Sequence, residues 1–267
     1  VISGWVRFKG VRGKEGESLK VNYLSEYESP RCEYIFKDSE PVDYNPKFTG
    51  FVFRMAVISG VEDLSESNVV AEAVSTDVKV NAGFECSNDL FGQINKIFIR
   101  SQMDNMHSAV ASDCPHRERL PYTGDGEIAM AAVLSNFAAD AFYNKWIGDI
   151  IGSQNPSTGY VPNGAPWCPM CGGGPAWGAA ICIMPWEFYL RYGDKSVLQK
   201  SLEGMKGYVR YFGSWKRPDG TIHVQKTTPD GKPFYWYNLG DWCAPGDNPD
   251  PALVHTFYTW YVADIAS

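Results

Sequence analysis

The sequence predicts a multidomain β + α protein, with an antiparallel β domain over residues 1–82 followed by a helical domain over residues 83–267. Three observations carry that division. Before about Val80 the apolar residues alternate at period two, most plainly at Phe51, Phe53, Met55 and Val57, with Gly, Pro and Asn between the runs. After Phe84 the spacing changes to threes and fours, beginning with Leu90, Phe91, Ile94, Ile97, Phe98 and Ser101. A hydrophobic fraction of 44% in 267 residues is enough for a packed core in each part.

Taken in order, residues 20–24, 33–36 and 69–80 read as strands, and Pro46 and Gly50 mark turns between them. Ser87 and Asn88 precede the first helical stripe and are candidate N-caps, because a short polar side chain can accept from the unpaired N–H groups of a first turn. A second stripe runs through Ile128, Ala131, Ala132, Ser135, Ala138, Phe142 and Trp146, and a third through Leu198, Leu202, Met205, Val209 and Phe212. Residues 177–192 and 251–266 read as further helices. The connectors 152–175 and 216–249 are long and dense in Gly, Pro and aromatics, the composition of loops that carry function. No Gly or Pro stops the last helix before Ser267, so the expectation is a chain ending inside an unfinished helical array.

Charge narrows the partners. The net charge is −7 and no Lys/Arg cluster follows a groove-lining pattern, which argues against nucleic acid and anionic membranes. No run is apolar enough to insert in a membrane. The start at Val1-Ile2-Ser3-Gly4, with no initiator Met and no leader-like apolar stretch, predicts an internal or processed beginning. Nine Trp and fifteen Tyr suit a sugar-binding cleft, where flat rings pack on the C–H face of a pyranose, although a large aromatic core has the same composition. The seven Cys are too dispersed for a disulfide scaffold.

The densest chemistry is Asp113-Cys114-Pro115-His116-Arg117-Glu118-Arg119-Leu120-Pro121-Tyr122-Thr123-Gly124-Asp125. Two prolines and a glycine predict a loop between two helices, with its carboxylates and arginines placed by loop geometry. A solvated charged loop would have the same charge content. The order of residues goes further, because it resembles the signature of glycoside hydrolase family 78, the α-L-rhamnosidases, written DCPxRxERxGWTGD. Asp113, Cys114, Pro115, Arg117, Glu118, Arg119, Thr123, Gly124 and Asp125 fall in place; the segment is one residue shorter and has Pro121-Tyr122 where Gly-Trp is usual.

Further blocks follow in the family's order. Asn45-Pro46-Lys47-Phe48-Thr49 with Phe53-Arg54, and Gly83-Phe84 with Cys86-Ser87-Asn88, lie upstream. Gly174-Pro175-Ala176-Trp177-Gly178, Pro185-Trp186-Glu187, Tyr192-Gly193-Asp194 and Gly240-Asp241-Trp242 lie downstream. Ala179 stands where the family often has Asp; either the pocket admits a differently substituted sugar or another carboxylate substitutes.

The resemblance implies an antiparallel β-sandwich followed by an incomplete (α/α)6 toroid, and inverting hydrolysis of terminal α-L-rhamnosides. It assigns the general acid to Glu118, with Asp113 and Asp125 as like charges that could keep it protonated. Asp113, Arg117 and Asp125 are expected to grip sugar hydroxyls, and Tyr122, Trp177 and Trp242 to wall the ring and methyl group. Asp113, Glu118, Asp125, Trp177 and Trp242 are expected to line one cleft. Inversion needs a second carboxylate about 6.5–9.5 Å from the acid; in the family it is a later Glu, which this chain is expected to lack. The implied partner is a rhamnose-containing oligosaccharide or glycoside, and the implied location is secreted or periplasmic. No cofactor is expected. Nor is a metal, since Cys168-Pro169-Met170-Cys171 is a lone CxxC and His107, His223 and His255 lack ligand spacing. Two alternatives remain: a helical-toroid glycosidase or lyase for another deoxy or acidic sugar, and a carbohydrate-binding module without turnover.

Overall fold

The computed structural model describes residues 1–27, 29–111, 113–166 and 171–267. Alternation in the first part yields two antiparallel sheets. In one, β1 (Ile2–Val11) pairs with β4 (Val42–Tyr44), β5 (Phe51–Phe53) and β7 (Val69–Ala73); in the other, β2 (Ser18–Leu24) is flanked by β3 (Arg31–Ile35) and β6 (Met55–Ser59). Val6, Phe8 and Val11 of β1, Leu19, Val21 and Tyr23 of β2, and Phe51 and Phe53 of β5 form one core. Tyr23 stacks on Phe51 with ring centroids 4.1 Å apart, and its hydroxyl accepts from the Val6 N–H, so the buried phenol is not left unpaired.

The run Phe51, Phe53, Met55, Val57 is not one strand. At Arg54 the chain leaves the β1 sheet for the β2 sheet, and the inward phase shifts by one residue. Phe51 and Phe53 are buried, Met55 and Val57 are exposed, and Ala56 and Ile58 face the core instead. The strand predicted over 69–80 ends at Ala73; beyond it Val80 forms an isolated bridge with Phe137.

Asn88 caps α1 (Asp89–Asn105), its side chain accepting from the Leu90 N–H at 3.0 Å. Contacts group this helix with the sheets: one compact unit comprises Val1–Asp77, Asn88–Ser108 and Cys114–Arg119, and the other Val78–Ser87, Ala109–Asp113 and Leu120–Ser267. Within the first, the Ser3 hydroxyl donates to the carbonyl of Asp104 at 3.0 Å.

The second unit holds α2 (Thr123–Asn136), α3 (Asp140–Ser153), α4 (Pro175–Gly178), α5 (Ala180–Tyr192), α6 (Lys195–Gly213) and α7 (Pro251–Ala266). The stripe from Ile128 to Trp146 therefore covers two helices, divided where Phe137 and Ala139 leave helical geometry. Trp146 is fully buried and its indole N–H donates to the Ala165 carbonyl at 2.7 Å. Of the expected α6 stripe Met205 and Phe212 are buried while Leu198, Leu202 and Val209 are not, and the buried face continues through Val197, Ser201, Gly204, Gly207, Tyr208 and Tyr211. Gly204 and Gly207 let Gln154 and Ile181 approach closely, so small residues, invisible to a hydrophobic stripe, set which face turns inward. No helix among the described residues is long and apolar enough to cross a membrane.

Candidate active site

Three of the seven residues assigned from the sequence meet in one cleft of the helical unit, about 570 Å³ in volume. Asp125, Trp177 and Trp242 come from segments separated by more than half that unit and line it together, with Glu127, Asp241, Phe257 and Tyr258 among their neighbours.

Thr123-Gly124-Asp125 is not loop but the first turn of α2. Pro121 ends the preceding chain, and the buried Thr123 anchors the turn: its N–H donates to the Asn163 carbonyl at 2.7 Å and its hydroxyl to the Trp177 carbonyl at 2.8 Å. A Cβ on Gly124 would lie 2.9 Å from the Trp177 ring, so glycine here is what admits the indole. The indole N–H of Trp177 then donates to Asp125 Oδ2 at 3.2 Å. This bond fixes the indole beside the carboxylate, with both groups on the lining of the cleft.

The connector that carries Asp241 and Trp242 is held from both sides. His255 of α7 is buried; its Nδ1 accepts from the Val224 N–H at 3.2 Å and its Nε2 donates to the Leu239 carbonyl at 3.0 Å. That pattern needs a neutral imidazole, and burial pushes its pKa down to about 4. Lys226 sits 3.9 Å over the Tyr160 ring and 4.8 Å from that of Tyr237, while Asn238 bonds the Lys226 backbone in both directions. Trp242 leans on Trp236 with centroids 5.3 Å apart.

Glu127 was not singled out from the sequence. It lines the cleft, and burial together with the charge of Glu187 pushes its carboxyl up to about 7. The carboxylates of Asp125, Glu127 and Asp241 do not gather within the mutual 4.8 Å that would let them share an ion.

The remaining assigned residues are placed otherwise. Arg117 and Glu118 belong to the first unit and pair side by side: the Arg117 Nε donates a short bond to Glu118 Oε2, Nη2 donates to Oε1 at 3.0 Å, and the Cys114 thiol donates to Oε2 at 3.3 Å. The guanidinium bonds hold Glu118 below the usual carboxylate range, the reverse of the expectation that like charges keep it protonated. Asp113, in the second unit, is half-buried and does not line the cleft. Tyr122 serves as the residue before α2, bridged to Gly164, and is not a cleft wall. Ala179 is fully buried at the start of α5 and is not among the residues that line the cleft. Cys171 is buried; Cys168, the other half of the CxxC, lies outside the described residues.

Residues 79–267 match the family model of the bacterial alpha-L-rhamnosidase 6 hairpin glycosidase domain. The chain belongs to this family. An alpha-L-rhamnosidase of Formosa agariphila is 31% identical over 230 residues, covering 80% of this chain and 22% of the relative. One from Streptomyces avermitilis is 28% identical over 237 residues, covering 88% of this chain and 22% of the relative. The chain thus spans 22% of the length of these relatives. Among solved structures, the alpha-L-rhamnosidase from Dictyoglumus thermophilum superposes with a TM-score of 0.79 at 28% identity, over 99% of this chain and 30% of that one. The Streptomyces avermitilis enzyme complexed with L-rhamnose has the same fold, with a TM-score of 0.79 at 24% identity over 99% of this chain and 26% of that one. The two antiparallel sheets and the helices thus recur in known members of the rhamnosidase family.

Proposed function

We propose that the whole protein is an α-L-rhamnosidase that hydrolyses terminal α-L-rhamnosides with inversion, and that the cleft around Asp125 is where the sugar sits. The observation that carries this reading is the pairing of Trp177 with Asp125 in a cleft that Trp242 also lines: an apolar ring fixed beside a carboxylate is what binds a sugar having a methyl group at one end and hydroxyls around the ring. Relatives that bear the name alpha-L-rhamnosidase, one of them solved with L-rhamnose, support it. In this reading the helices form part of an (α/α)6 toroid, and Glu118 is the general acid. Because Arg117 holds that carboxyl ionised, the Arg117–Glu118 pair opens before Glu118 can take up the proton it delivers. The general base is a carboxylate elsewhere in the protein, and the enzyme works outside the cytoplasm.

Aryl glycosides of L-rhamnose, L-fucose, D-mannose and D-glucuronic acid, offered to the whole protein, test the substrate class. Turnover of the rhamnoside well ahead of the other three is expected. Preference for one of the others would transfer the cleft to a different sugar, and no turnover at all would leave a carbohydrate-binding role.

A further inference from the structure

We propose that Glu127 is a specificity-determining residue of the cleft, whose carboxyl hydrogen-bonds a hydroxyl of the bound sugar; this rests on the cleft being a sugar site. Glu127 lies on α2 two residues after Asp125, so the helix sends the two carboxyls in different directions: Asp125 toward Trp177, Glu127 toward α5 and α7.

The two carboxyls differ in what they touch. Asp125 already accepts from an indole, whereas no side chain or backbone group among the described residues hydrogen-bonds or ion-pairs with Glu127. A half-buried carboxyl whose bonding capacity is unused, on the wall of a cleft, is matched to a ligand rather than to the fold.

The charges around Glu127 do not compensate it. Glu187 faces it from α5, Tyr258 and Tyr261 from α7, and Asp241 approaches Tyr258 from the connector. All are acidic or neutral, so near neutrality Glu127 holds its proton part of the time. It can then donate to a sugar oxygen as well as accept from a hydroxyl, which a permanently ionised carboxylate cannot do. Tyr258 and Phe257 add aromatic surface to the lining of the same cleft.

The test uses the whole protein, with the fluorescence of its tryptophans reporting binding of L-rhamnose, L-fucose, D-mannose and D-glucuronic acid below and above neutral pH. Steady-state kinetics on a nitrophenyl rhamnoside run alongside. Glu127→Leu should weaken the preferred sugar about tenfold or more and raise KM more than it lowers kcat. Glu127→Gln, which keeps a donor and an acceptor but cannot ionise, should bind as the wild type does below neutrality and lose the wild type's weakening above it. Unchanged affinity for all four sugars in a folded Glu127→Leu protein overturns the proposal. If that variant does not fold, a Glu127→Gln protein with the wild-type pH dependence overturns it instead. Rhamnoside turnover that survives both substitutions unchanged sinks this inference and leaves the rhamnosidase reading standing. Absent rhamnoside turnover, with affinity for another sugar lost in Glu127→Leu, does the opposite. A wild type that neither binds nor cleaves any of the four defeats both.

Discussion

At the scale of single residues, the sequence motif and the structure assign different work to neighbouring carboxyls. Glu118 is tied to Arg117, Asp125 to Trp177, and Glu127 hydrogen-bonds or ion-pairs with nothing among the described residues. General acid catalysis contributes about 10²–10⁴-fold and matters most for a poor leaving group. Glu118→Gln in the whole protein should therefore lose nearly all activity on a natural rhamnoside yet keep far more on an activated nitrophenyl rhamnoside. Equal losses on both, in a protein that stays folded, would reduce Glu118 to a salt-bridge partner of Arg117. Asp125→Asn should behave differently, weakening both substrates alike, because an amide still accepts from the Trp177 indole but no longer carries the charge. Parallel kcat/KM measurements on the two substrates check both variants. Glu118 was singled out because its neighbours spell a known motif; Glu127 was not, since nothing in Gly126-Glu127-Ile128 distinguishes a cleft carboxyl from one on a solvated helix face.

Elements are where the cleft's geometry is set. Helix α2 begins beside Trp177 only because Gly124 and Gly126 have no side chains: a Cβ on Gly126 would lie 2.1 Å from the buried Trp146 ring. Gly124→Ala should leave the core packed but displace the Trp177 indole from Asp125, raising KM for the rhamnoside several-fold with a smaller change in kcat, as kinetics on the whole protein would show. Gly126→Ala should instead destabilise, by about 1–3 kcal/mol for overpacking, read as a lower denaturation midpoint. The N-cap of α7 offers a milder test: Asp250 accepts from the Ala252 N–H at 2.8 Å, and Asp250→Ala should cost about 1 kcal/mol and loosen the helix carrying His255, Phe257 and Tyr258.

For the molecule as a whole, the raised carboxyl of Glu127 gives stability a distinctive pH dependence. The folded form holds this proton up to about 7, against an ordinary value of 4.5, so the folded state binds more protons than the unfolded one between those limits. Stability from this group is fully present below 4.5 and lost as pH rises through 7. The size of the effect is on the order of 3 kcal/mol at 1.36 kcal/mol per pKa unit. The lowered Glu118 acts with the opposite sign, contributing above its ordinary value and losing that contribution in acid. The difference between wild type and Glu127→Gln isolates the first effect: thermal unfolding midpoints should converge below pH 4.5 and separate as pH rises to about 7, with the variant the more stable. Midpoints that stay parallel across that range would remove Glu127 from the buried set.

The sequence by itself determined the β-then-helix order, the cap at Asn88, the family, and three of the cleft residues. Each of these is written in local spacing or in a contiguous motif. Only tertiary structure decided that Phe53 and Met55 lie in different sheets, that α6 turns its glycine face inward, and that α1 groups with the sheets. It also decided that Ala179 is core, that Tyr122 leads into a helix instead of walling the cleft, and that Glu127 feels the charge of Glu187. The physical reason is common to all of these: inward phase, close approach and pKa depend on which distant backbone or charge arrives at a residue, and α2, α5 and α7 contribute theirs from positions up to about half the chain apart.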